Sequence, residues 1–222
     1  MIVLYFHVCK WKYKVCDKVP EKLSHLPVVF THPNFYNGTY SFFSEEIMFQ
    51  RYPIIAKVIL FHLIFIAVHY VYDWFPSPLT FFLGATNESV YQHMKAIFHA
   101  YFLFSAFEYG LAGKTMFDKP RFLYARFLGL VLMPLLILPF FLLGPALFVK
   151  IESIPLEIIF ANLALAGTSA STFLLVDVFE HGKFTSGAKW ALFILVFLTI
   201  IEFSIFNYRL PWFDVFANPP GW

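Results

Sequence analysis

A chain of 222 residues with 59% hydrophobic and only 14% charged side chains carries too much apolar surface for a water-soluble domain, where charged residues make up about a quarter. Its formal net charge of +2, with 16 Lys and Arg in no dense patch, excludes a nucleic-acid binder and points to no charged partner. Phenylalanine supplies 31 residues against 12 Tyr and 5 Trp, a composition suited to packing between helices and against lipid.

Residues 1–53 form a mixed segment with lysines at 10, 12, 14, 18 and 22, prolines at Pro20, Pro27 and Pro33, and the turn-forming Asn37-Gly38. The only cysteines, Cys9 and Cys16, fit neither a zinc ligand set nor a disulfide framework. The opening run is apolar and then basic, the reverse of a secretory signal, so it is expected to stay in the mature chain. This segment reads as a cytoplasmic extension too short to build a core of its own. A second reading starts translation at Met48 and makes the upstream stretch an over-extended gene start.

The spans follow in order, giving an all-α, polytopic transmembrane bundle of about five helices over residues 54–210. The first is Ile54 to Trp74, whose 21 residues rise roughly 31 Å, the depth of the hydrocarbon core, with Trp74 as an interfacial anchor. The second runs from about Ser89 to Ala112, led by the capping residue Asn87 and the acidic Glu88. It is the least apolar of the five, carrying His93, Lys95, His99 and Glu108, so most of it must face protein or water. The third, Phe127 to Val149, is interrupted by Pro134, Pro139 and Pro145 and belongs inside a bundle that resatisfies the freed carbonyls. In the fourth, Pro155 to Val176, the small residues of Ala-Gly-Thr-Ser-Ala-Ser from 166 to 171 allow close helix approach and predict a central position. The fifth, Lys189 to Tyr208, holds a lone acid, Glu202. Residues 211–222 form an aromatic and proline-rich tail, expected to lie as an interfacial strap.

Basic residues fix the expected orientation. Six precede the first span, four lie between the second and third, and Lys183 and Lys189 lie between the fourth and fifth, twelve in all against Lys150 and Arg209 on the other side. That bias places the N-terminus in the cytoplasm and the C-terminus outside, in a multi-pass protein of the cell membrane.

With this topology, His69 and Asp73 share a depth with Glu88, Ser89 and His93. Each of the pairs His69/Asp73 and Ser89/His93 is spaced four apart on one helical face. The short connection makes the two helices antiparallel neighbours, so His69, Asp73, Glu88 and His93 form a candidate ligand set for zinc or another divalent metal, with Glu88 and Ser89 as candidate catalytic groups. The same groups would also serve a proton relay. The plainer alternative is structural: a His–Asp bond, Glu88 capping its helix and Ser89 bonding its own first turn. A second polar cluster, Glu108, Asp177, Glu180 and His181, falls toward the cytoplasmic face, where such groups also snorkel or pair with basic loops.

Val68-His69-Tyr70-Val71-Tyr72-Asp73-Trp74, Asn87-Glu88-Ser89-Val90-Tyr91-Gln92-His93-Met94-Lys95 and Glu108-Tyr109-Gly110 together resemble an uncharacterised family of small prokaryotic polytopic membrane proteins. That family is marked by an Asn-Glu-Ser-Val-Trp-Glu-His-Leu-Lys stretch; here Tyr91, Gln92 and Met94 depart from it. Gln92 removes a carboxylate from any mechanism needing one there. The resemblance implies a polytopic fold and no assigned reaction. Three functions compete: a non-catalytic subunit or scaffold within a membrane-protein complex or homo-oligomer, an intramembrane metal-dependent hydrolase acting on a lipid-like substrate near the outer leaflet, and a proton-linked transporter or channel.

Overall fold

The structure, a computed structural model, describes residues 53–112, 118–148, 153–212 and 214–217. The 1–53 extension, with Cys9, Cys16 and the alternative start at Met48, lies outside them except for Pro53. Regular structure among the described residues is entirely helical: α1 Ile54–Trp74, α2 Pro78–Leu83, α3 Val90–Ala112, α4 Lys119–Phe148, α5 Ile154–Glu180, α6 Ser186–Phe206 and a final 3-10 turn, η1 Asp214–Phe216.

Four helices, α1, α4, α5 and α6, are long and apolar enough to cross a membrane. On α1 the stripe Ile55, Ile59, Leu63, Ile66 and Tyr70 is exposed while Phe61, Phe65, Val68 and His69 are buried. Both faces are apolar, as they must be when lipid lies outside and protein inside. Helix α3 is the exception. At 23 residues it is long enough, but its lysine, histidines and glutamate keep it out of the apolar set. Its solvent is the other helices: Tyr91, Gln92 and every residue from Met94 to Tyr101 are buried.

Three helix starts differ from the sequence expectation because capping, not hydrophobicity, sets them. Helix α4 begins at Lys119 rather than Phe127, since Asp118 accepts the Arg121 N–H at 3.1 Å and Pro120 fits the first turn. Helix α6 begins at Ser186, where the Thr185 hydroxyl accepts the Ala188 N–H at 3.2 Å. The connection expected between Phe75 and Thr86 contains α2, started by Ser77 and Thr80 in a reciprocal capping box with Pro78 next to it.

Helix α5 does pack deeply, against α4 and α1. Its small residues meet rings: an added Cβ on Gly167 would lie 3.0 Å from Phe140, and one on Gly144 of α4 would lie 2.7 Å from Phe160 of α5. Phe and Gly are thus exchanged across one interface, which brings the two backbones close. The middle of the bundle is an aromatic block in which Phe61, Phe104, Tyr101 and Phe173 meet at centroid separations of 4.9–6.4 Å. Of the tail, Phe216 of η1 packs 4.7 Å from Tyr91 and 5.3 Å from Phe206, covering the start of α3.

Candidate metal centre

The last turns of α1, the segment from Gly84 to Ser89 and the first turn of α3 build one polar site. The segment folds back onto α1, where the Ala85 N–H donates to the His69 carbonyl at 3.2 Å. Gly84 permits this approach, for a Cβ there would stand 2.7 Å from Val71 Cγ1 and 3.0 Å from the Val68 carbonyl. Asn87 then makes a short turn by accepting the Ser89 N–H at 2.9 Å, and the Ser89 hydroxyl caps α3 by accepting the Gln92 N–H at 3.3 Å. The cap is therefore Ser89, two residues beyond Asn87. Buried Gln92 braces the segment by accepting the Thr86 N–H at 3.4 Å.

Glu88 is held over α1 by these turns. Its Oε2 lies 3.6 Å from His69 Nε2 and 3.4 Å from His93 Nε2, and the ligand atoms of the three residues all fall within 4.8 Å of one another. Two ligands of a tetrahedral zinc, each about 2.0–2.1 Å from the metal, stand about 3.3–3.4 Å apart. The Glu88–His93 edge matches that spacing and the Glu88–His69 edge is slightly longer. His93 Nδ1–H donates to the Ser89 carbonyl at 2.9 Å, which leaves the Nε2 lone pair aimed at Glu88. A lone pair facing a carboxylate oxygen is stable only with a cation between them, either a proton or a metal. His69 is 5% exposed, and neither of its ring nitrogens reaches a hydrogen-bond partner among the described residues, which leaves a buried imidazole with a nitrogen free to ligate. The two imidazoles pack 4.7 Å apart, with Phe65 and Tyr70 against His69.

Other sequence candidates fall elsewhere. Asp73 is exposed on the last turn of α1 and does not belong to the three-residue group. Ser89 is fully buried and its hydroxyl is engaged in the cap.

The second cluster divides. Glu108 pairs with Lys57 at 3.2 Å and with Arg126 at 2.8 Å, and Arg126 reaches Glu180 at 3.2 Å. Asp177 is exposed, and exposed His181 donates from Nδ1 to the Asp177 carbonyl at 2.7 Å, so these two close the end of α5. Glu202 also is exposed, one turn from the end of α6. Sequence reasoning sets Lys57 aside and assigns Arg126 to a loop; the signal that would find them is the demand of a half-buried Glu108 for cations at its own depth. Lys95 is missed in the same way. Fully buried, it donates to the Phe81 carbonyl at 3.0 Å and to Asn207 Oδ1 at 2.8 Å, tying α2 to the end of α6.

Comparison with protein families, curated proteins and solved structures returned no match.

Proposed function

We propose that this chain is a five-span membrane protein, N-terminus cytoplasmic, that holds a divalent metal, zinc above others, through His69, Glu88 and His93 and hydrolyses a lipid-like substrate near the outer leaflet. The observation that carries the reading is the trio itself, with two edges at 3.4 and 3.6 Å and a buried imidazole without a hydrogen-bond partner among the described residues. Three protein ligands with an open side are the mark of a catalytic rather than a structural zinc. Such a metal would supply an acidified water and polarise a carbonyl. Glu88 and His93 are only partly buried, which leaves that side open to substrate. In this topology α3 is the fifth span, sheltered by its neighbours, and the site lies at the extracytoplasmic end.

The proton-path reading is less well supported, because Phe61, Phe65 and Phe104 fill the interior along α1 and α3 between the two polar ends. A scaffold role has one observation in its favour: the Lys57 network satisfies its own charges and needs no ligand.

Metal analysis by plasma mass spectrometry on detergent-purified protein, beside a His69→Ala, His93→Ala double variant, tests the centre. Near-stoichiometric zinc in the first and none in the second is expected; no metal in either overturns it. Iron instead would redirect the chemistry, since two histidines and a carboxylate also form the facial triad of oxygen-activating enzymes. Turnover of lipid ester and amide substrates, abolished in Glu88→Gln, tests the hydrolase.

A further inference from the structure

A cavity of about 500 Å3 opens between α3 and the first half of α4, at the opposite end of the bundle from the metal centre. Its volume is that of a small-molecule site. The walls are apolar, with Phe102 and Ala106 from α3 facing Leu123, Phe127 and Leu130 from α4, while Lys119 and Tyr109 stand at the helix ends. Among the described residues no acidic side chain lines it. From Lys119 to Leu130 the helix rises about 16 Å at ~1.5 Å per residue. One leaflet of hydrocarbon is about 15 Å deep. The groove therefore runs about the depth of a single leaflet, with Lys119 at its end and walls beyond that are apolar apart from Ser105 and the paired Arg126.

The charge around it is positive. Lys57, Glu108, Arg126 and Glu180 cancel within their own network, and Asp118 is occupied by Arg121 at 2.8 Å. Lys119 has no such partner among the described residues, and neither has Lys189, whose ammonium sits 5.3 Å over the ring of Tyr124, itself a wall of the cavity. A lysine at the end of an apolar groove, with a second ammonium against the ring of one of its wall residues, suits an anion carried on hydrocarbon.

We propose that this groove binds one anionic phospholipid, its acyl chain along Phe102, Ala106, Phe127 and Leu130 and its phosphate at Lys119 and Lys189. The site is independent of the metal centre. In the proposed orientation it draws on the cytoplasmic leaflet, where negative lipid headgroups attract basic residues near the surface.

Native mass spectrometry of the full chain, delipidated in detergent and titrated with phosphatidylglycerol or phosphatidylcholine, reads the binding directly. The wild type is expected to retain one phosphatidylglycerol and to prefer it over phosphatidylcholine. Lys119→Gln, at an exposed position whose change does not threaten folding, should lower that preference roughly fivefold. Ala106→Trp should fill the groove and abolish retention of both lipids. Equal binding of the two lipids, unaltered by Lys119→Gln, would reduce the groove to a nonselective amphiphile trap and overturn the proposal. Retention unchanged in a folded Ala106→Trp protein would place the bound lipid elsewhere and overturn it equally.

Discussion

At the Lys57 end of the bundle four ionised side chains from four helices answer one another, and at the His69 end two imidazoles face a carboxylate across 3.4 and 3.6 Å. The first arrangement is saturated. Arg126 makes contacts at 2.8, 2.9 and 3.2 Å, short enough for charge-assisted hydrogen bonds, and it is almost fully buried. The second spans gaps longer than a good hydrogen bond and close to the edge of a metal tetrahedron, with one member orphaned in the core. Ionisable groups inside a membrane protein thus divide by whether their partners come from the chain itself. At the Lys57 end that condition is met and the cluster is a clasp; at the His69 end the spacing of the three groups is what the proposed metal would use.

The sharpest way to break this contrast is to remove the centre of the clasp. Arg126→Met leaves the buried Glu180 without its cation and Glu108 with Lys57 alone, and should cost about 3–5 kcal/mol, read as a large fall in Tm in detergent. Adding Glu108→Gln and Glu180→Gln to that variant should recover much of the loss. If Arg126→Met behaved like a surface change, the network would not be structural and the comparison would fail.

The metal centre should give the opposite signature: a smaller effect, conditional on the ligand. Zinc at a hundred times its dissociation constant is expected to stabilise the wild type by about 2.7 kcal/mol and His93→Ala by nothing, with the two proteins alike in chelator. A zinc response that survives in His93→Ala would sink the assignment. Next in size is Gly84→Ala, whose methyl would press on Val71 and the Val68 carbonyl at 2.7 and 3.0 Å. A cost of about 1–2 kcal/mol is expected together with weaker zinc binding, since the same segment carries Glu88 to His69. Loss of stability with zinc affinity intact would show that Glu88 is positioned by α3 alone.

Much of this was legible in the sequence, for reasons tied to particular residues. The run from Ile54 to Trp74 reads as a span because its apolar length matches the bilayer, and the structure gives a helix over the same residues. His69, Glu88 and His93 were legible as a group because a short connection between two helices forces their ends together. Other features were not legible. Period alone places Asp73 on the face of His69, but the fold-back of Ala85 onto the His69 carbonyl decides which side of that turn is covered. Arg126 looks like a loop charge because hydropathy stops at Phe127, whereas Asp118 caps the helix eight residues earlier. Tyr101 shows the same limit: a methyl on Gly129 would collide with its hydroxyl, a contact between residues far apart in the chain that no local pattern encodes.

The smallest effect is the most discriminating for the site. Asp73 and Glu88 are both carboxylates near His69 in sequence logic, and a simple count of acidic groups at that depth would make them equivalent. The structure separates them, since Asp73 is exposed on the end of α1 while Glu88 is bracketed by the Asn87 turn and the Ser89 cap and stands between two imidazoles. Asp73→Ala should therefore change stability by no more than about 0.5 kcal/mol and leave zinc content as in the wild type, whereas Glu88→Ala should empty the site. Metal analysis on the two variants side by side reads both. Zinc lost from Asp73→Ala would mean that the end of α1 turns inward when the metal arrives, making the centre a four-ligand structural site and removing the open position on which hydrolysis depends.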